Sequence, residues 1–105
     1  MDAFVALADP TRRQIIQSLA AGESAFGDIA EQFEISRPAV SQHLKVLREA
    51  RLVAVRKDAQ RRIYRIDASG FEEIDDWLDS VRQFWNGRLD QLEHVLSKQD
   101  KGGQS

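Results

Sequence analysis

Residues 36–66 read SRPAVSQHLKVLREARLVAVRKDAQRRIYRI, and this stretch decides the fold. It holds nine of the chain's fifteen Lys and Arg but two of its seventeen Asp and Glu, a net charge of +7. The residues before it sum to −4 and those after it to −5, so a cationic block sits inside a chain of net charge −2. Such a block is an electrostatic footprint, and its natural polyanionic partner is nucleic acid. The block is patterned as well as charged. At 100° per residue, Val40, Leu44 and Leu47 share one helical face, with His43 at its margin. Pro38, Ser41, Gln42, Lys45 and Glu49 lie opposite, flanked by Arg37 and Arg48. An ordinary surface helix is rich in Glu and Lys, whereas this one opens with Arg, Ser and Gln, which donate well to base edges and phosphates. Recognition helices use their N-terminal residues for base contacts, where Arg37, Ser41 and Gln42 fall.

Downstream of this helix (about 36–50), the runs 52–57 and 61–66 alternate as strands, with Val53 and Val55 in one and Ile63, Tyr64 and Ile66 in the other. They form a hairpin wing over about 52–66 with residues 57–61 at its tip. Arg56, Lys57, Arg61 and Arg62 suit phosphates or a minor groove. The plainer alternative is an exposed hairpin with charged edge protection, but a polar stripe and a basic hairpin in succession favour DNA.

Upstream, a short first helix places Phe4 and Leu7 on one side. Asp9 then reads as an N-cap with Pro10 as the first helical residue. A second helix over 10–21 shows Ile15, Ile16 and Leu19 on one face, and Gly22 is well placed to end it in a left-handed conformation. A third, starting near Ser24 or Ala25, carries Phe26, Ile29, Ala30 and Phe33. Ser36 caps the fourth helix ahead of Pro38, and Ile35 is expected to plug the intervening turn. Helices three and four make a helix-turn-helix candidate.

The pattern from Phe71 is one long helix, placed over about 69–97, with Phe71, Ile74, Leu78, Val81, Trp85, Leu92 and Val95 at alternating three- and four-residue steps. The twenty-seven residues from Phe71 to Ser97 span about 40 Å as a helix, so this helix should overhang a core of about 13 Å radius of gyration. A homodimer through Trp77, Val81, Phe84, Trp85, Leu89 and Leu92, joined by Phe4 and Leu7, covers the apolar overhang. The alternative is a helix bent at Gly87 and packed within its own subunit. One domain over 1–97, with a mobile tail at 98–105, is the expected organisation.

With 105 residues, 42% of them hydrophobic and 30% charged, the chain fits one globular domain. No apolar run approaches the roughly 20 residues that cross a bilayer, and MDAFVALADPTRR lacks a signal-peptide pattern. A cytoplasmic protein without a membrane partner is expected. Zero cysteines exclude disulfides, Cys-ligated zinc and thiol chemistry.

These motifs resemble the ArsR-type (arsenic-repressor-like) family of bacterial winged-helix transcription factors. The resemblance is carried by ALADPTRRQII at 6–16, SRPAVSQHLKVLREARLV at 36–53, RRIYRI at 61–66 and FWNGRLDQLEHVL at 84–96. The last is similar to members without a metal site. The resemblance implies a mainly α fold, a winged helix-turn-helix of five helices and one hairpin wing, dimerising through its terminal helices. It also implies a sequence-specific repressor that binds double-stranded operator DNA with helix four in the major groove. Base-reading positions carry over onto Arg37, Pro38, Ser41 and Gln42. Ser36, His43, Lys45, Arg48, Arg56, Lys57, Arg61 and Arg62 are the expected phosphate or wing contacts. Family members often have glycine where this chain has Glu34, Arg51 and a glycine-free wing tip, and a left-handed Arg51 would cost about 1 kcal/mol.

Metal sensing is disfavoured. Asp75, Asp76 and Asp79 lack imidazole neighbours, and the Asp90–His94 pair reads as a surface pair. No cofactor is expected. Arg12 and Arg13 read as ion-pair formers more readily than as phosphate ligands. Trp77, Phe84 and Trp85 read as interface rather than effector pocket. An enzyme has little support, since no phosphate loop and no nucleophile–base motif occurs. The remaining rival is a winged helix that binds protein, which neutral or acidic residues along 37–45 would have favoured.

Overall fold

Asp9 breaks the chain direction and starts a helix. Its Oδ2 accepts the Arg12 backbone N–H at 3.0 Å, and Pro10 enters the first turn, where a missing N–H leaves nothing unsatisfied. The structure is a computed structural model that describes residues 2–103, with side chains as far as Leu96. In chain order its elements are α1 (Ala3–Ala6), α2 (Pro10–Ala20), β1 (Ser24–Ala25), α3 (Phe26–Glu31), α4 (Arg37–Glu49), β2 (Val53–Asp58), β3 (Arg61–Ile66), a 3₁₀ turn (Ala68–Phe71) and α5 (Glu72–Gly103). Five α-helices and a hairpin wing match the expected fold class.

The chain forms two units, Met1–Ile74 and Asp75–Ser105. The helix-turn-helix and wing lie in the first. Its core is built from Ile15 and Leu19 of α2, Ile29 of α3, Val40, Leu44 and Leu47 of α4, and Leu52 and Val53 at the entry to the wing. These are the apolar positions that helical and strand periodicity selects, and their burial is the main driving force for the fold. Ala30 is buried where α3 meets α4 and keeps the two helices close.

Three differences from expectation concern this unit. Ser24 and Ala25 do not open α3; they form β1, pairing antiparallel with Tyr64 and Ile63. The sheet is therefore three-stranded, in the order β1-β3-β2. As central strand, β3 buries adjacent residues Ile63 and Tyr64, which a free hairpin would not. A two-residue strand has no periodicity of its own, and only its partner reveals it. Ile35 is 40% exposed and does not plug the turn, because Phe26 and Phe33 already pack against the core there. Gly22 has a positive φ of 150°, well away from the left-handed helical value near +57°.

The glycine-free positions separate cleanly. Arg51 takes φ 61° and Ala59 φ 56°, both left-handed, whereas Glu34 is not among the positive-φ residues. Strand pairing of Asp58 with Arg61 leaves Ala59 and Gln60 as the tip of the wing.

The second unit is a single helical stretch, the continuation of α5. Phe84, Trp85, Leu89 and Leu92 are 51–54% exposed, and Trp77 is 53% exposed. Phe84 and Trp85 meet edge to face at 5.6 Å between ring centroids, and the Arg88 guanidinium lies 4.9 Å from the Phe84 ring. The helix does not stop near Ser97. It continues to Gly103 because residues 97–101 contain no Gly or Pro to end it. The expected tail thus begins inside the helix, while Gln104, Ser105 and the side chains from Ser97 onward lie outside the described residues. No helix among the described residues is long and apolar enough to cross a membrane.

Candidate nucleic-acid interface

Helix α4 starts because Ser36 Oγ accepts the Ala39 N–H at 3.2 Å and Pro38 pre-sets the first turn. Its rotation about its axis is set by Val40, Leu44, Val46 and Leu47, all buried. That leaves Arg37, Pro38, Ser41, Gln42, Lys45 and Arg48 exposed on the opposite side. The expected base-reading quartet is therefore together on one solvent face. Arg37 gains a support that was not anticipated: its guanidinium lies 6.0 Å from the ring centroid of Phe26, at the start of α3. The Ser36 oxygen serves as a cap, but its hydroxyl hydrogen remains available to donate to phosphate.

The wing stands beside this face. A cleft of about 530 Å³ runs between the start of α3, Ser41 and the wing residues Gln60, Arg61 and Arg62. A smaller one of about 170 Å³ lies between Ser41, Lys45 and Arg48 on one side and Arg62 and Tyr64 on the other. Ser41 and Arg62 border both, so reading face and wing flank a shared depression lined with cations. Among the described residues, Lys45, Arg48, Lys57 and Arg62 have no ion-pair partner. An exposed row of unpaired cations is what a phosphate backbone needs.

Three of the expected phosphate or wing contacts have partners within the chain. Arg56 donates through both terminal nitrogens to Glu23, at 2.5 and 2.8 Å. This fork holds the Glu23 carboxyl below the usual carboxylate range and raises the Arg56 guanidinium further. Arg61 has a looser acidic neighbour, Asp28, at 3.8 Å. His43 turns its Nδ1 inward, 3.3 Å from an Arg12 terminal nitrogen and 3.9 Å from Asp9 Oδ2, leaving Nε2 for any outside partner.

Among the described residues Arg12 and Arg13 form no side-chain ion pair, and both donate to main-chain carbonyls instead. Arg12 Nε donates to the Ala6 carbonyl at 2.5 Å and a terminal nitrogen to Val5 at 3.4 Å, while Arg13 donates to Leu7 at 3.2 Å. They bond to carbonyls at the end of α1, of which that of Val5 also accepts the Ala8 N–H, and Arg12 thereby joins α1, α2 and α4. The Arg12 backbone N–H holds the Asp9 carboxyl below its usual range, with His43 and Arg12 charges adding to that. Phe4 and Leu7 are half-buried in α1, and Val81 is half-buried in α5. Among the described residues, no three His, Asp or Glu side chains come together as a metal-binding group.

Sequence reading missed Phe26 as a platform, Glu23 and Asp28 as partners of the wing, and Arg12 as a tie. Only the acidic balance of residues 1–35 hinted at the carboxylates. Partners about 30 residues apart leave no local pattern.

The family model described as "Bacterial regulatory protein, arsR family" matches residues 9–55, from the α2 cap into β2. The chain is 48% identical over 87 residues to the HTH-type transcriptional regulator Rv2034 of Mycobacterium tuberculosis, covering 83% of this chain and 78% of that one. It is 36% identical over 75 residues to the transcriptional repressor SdpR of Bacillus subtilis, covering 71% and 83% respectively. Among solved structures, a possible transcriptional regulator for arsenical resistance superimposes with a TM-score of 0.73 at 43% identity, over 88% of this chain and 93% of that one.

Proposed function

Since the chain belongs to the arsR family of bacterial regulatory proteins, we propose that this DNA-binding transcriptional regulator works in the cytoplasm as a homodimeric repressor that occludes a promoter. One observation carries the reading: the exposed Arg37, Pro38, Ser41 and Gln42 face lies beside the unpaired cations Lys45, Arg48, Lys57 and Arg62. Arg37, Ser41 and Gln42 read base edges in the major groove, with Pro38 against the groove wall. The cations, with Arg61 and the Ser36 hydroxyl, hold the backbone on either side and fix the register. Two subunits joined through Phe84, Trp85, Leu89 and Leu92 of α5, supported by α1, present two such heads. They match half-sites of an inverted repeat about 10 bp apart. The half-exposed apolar row on α5 supports this assembly, because burying it removes a surface that water tolerates poorly.

Selection of bound fragments from random duplex DNA, repeated across salt concentrations, tests the assignment. Gln42→Ala should relax base preference at a cost of about 1–3 kcal/mol. Arg62→Ala should weaken all duplexes alike and flatten the salt dependence by about 0.9 in log–log slope per subunit. Identical behaviour of the two variants would show the roles to be misassigned.

A further inference from the structure

One cation of the wing is already claimed by its own subunit. Arg56 lies on β2, and Glu23 directly precedes β1, on the far side of the central strand. In register, Arg56 pairs with Ile63, which pairs with Ala25, so the Glu23–Arg56 bridge spans the sheet from one edge strand to the other. The contact is a two-point fork at 2.5 and 2.8 Å. Glu23 takes the end-on pair of N–H groups on the two terminal nitrogens, so that fork is closed to phosphate, and only the Nε edge is left, beside a carboxylate that repels an approaching anion. The pair is also neutral as a unit. Bringing it to a duplex releases no counterion, whereas Lys57 and Arg62, a few residues away, each release one.

We propose that Glu23 sets the strength of the wing's grip on the DNA backbone, by occupying Arg56 and withholding it from phosphate. Asp28 acts in the same direction on Arg61, more loosely at 3.8 Å. The inference rests on reading α4 and the wing as the DNA interface, and it adds a restraint to that interface. An acidic residue outside both elements lowers the sequence-independent part of binding and leaves the base-reading face untouched.

The test uses the full chain and a duplex of arbitrary sequence, with binding followed by fluorescence anisotropy between 50 and 200 mM salt. Glu23→Gln keeps the side-chain shape on an exposed site and frees the fork. Its slope of log affinity against log salt should steepen by about 0.9 per subunit, with binding about eight-fold tighter per subunit at 0.1 M salt. The double variant Glu23→Gln/Arg56→Gln removes the neutral pair whole and should return the slope to the wild-type value. An unchanged or shallower slope in Glu23→Gln overturns the proposal and makes the bridge a brace. A gain that persists in the double variant also overturns it, since the gain then does not run through Arg56. Wild-type protein and Arg62→Ala separate this failure from a wrong DNA assignment. If wild type binds with salt dependence and Arg62→Ala flattens it, the interface stands whatever Glu23 does.

Discussion

Gly70 and Arg51 meet through one hydrogen bond, and substitutions at the two should shift stability in opposite directions. Arg51 follows the Ala50 cap of α4 with φ 61°, and its carbonyl accepts the Gly70 N–H at 2.7 Å, which docks the 3₁₀ turn before α5 against the end of α4. A Cβ at Gly70 would fall on the carbonyls of Arg51 and Ala50, main-chain atoms that no rotamer change can move. Gly70→Ala should lose most of that hydrogen bond, about 1 kcal/mol, and force a shift costing a further 1–3 kcal/mol or so. A total of about 2–4 kcal/mol is a large share of the roughly 5–15 kcal/mol by which small domains are stable. Arg51→Gly should instead gain up to about 1 kcal/mol, because glycine adopts a positive φ without the Cβ penalty. Urea unfolding followed by far-UV circular dichroism reads both: the midpoint falls for Gly70→Ala and rises for Arg51→Gly, at unchanged m. A Gly70→Ala protein within about 0.5 kcal/mol of wild type, on the ordinary scale for surface changes, would refute the close-approach reasoning.

Asp9→Ala removes the α2 cap and should cost about 1 kcal/mol near neutral pH. The Asp9 carboxyl is held below its usual range in the folded chain, so its contribution is present above the unfolded value near pH 4 and lost as pH falls through the folded one. Asp9→Asn should therefore show a smaller loss of stability than wild type when acid titration is followed by thermal melting. Arg12→Lys keeps the charge but cannot reach the Ala6 and Val5 carbonyls and His43 together. A loss of about 1–3 kcal/mol in urea is expected, and a neutral outcome would remove Arg12 as the tie between α1 and α4. Trp85→Glu places a charge on the exposed row of α5, and sedimentation should then find a monomer. A dimer of unchanged strength would exclude this face from the interface.

The caps and the faces of the main helices are short-range facts, and the amino-acid order determined them. Asp9 and Ser36 each reach an N–H three residues on. The buried side of α4 follows from Val40, Leu44 and Leu47, because an apolar residue every three or four positions leaves a helix one face to hide. The polar side, and with it Ser41 and Gln42, was legible for the same reason. The charge block between two acidic segments needed only counting. The left-handed Arg51 was signalled only by the resemblance, through the glycine that family members often carry at that position.

What only the tertiary structure decided depends on partners far away along the chain. Ser24 and Ala25 are a strand because β3 offers them hydrogen bonds, and nothing in two residues announces it. Glu23 and Arg56 are 33 residues apart and Arg12 and His43 31 apart, and the amino-acid order alone does not pair either couple. A charged side chain carries no record of which opposite charge the fold will bring to it. Local rules therefore fixed which face of α4 looks outward, and the three-dimensional packing chose which of the surrounding cations remain free for DNA.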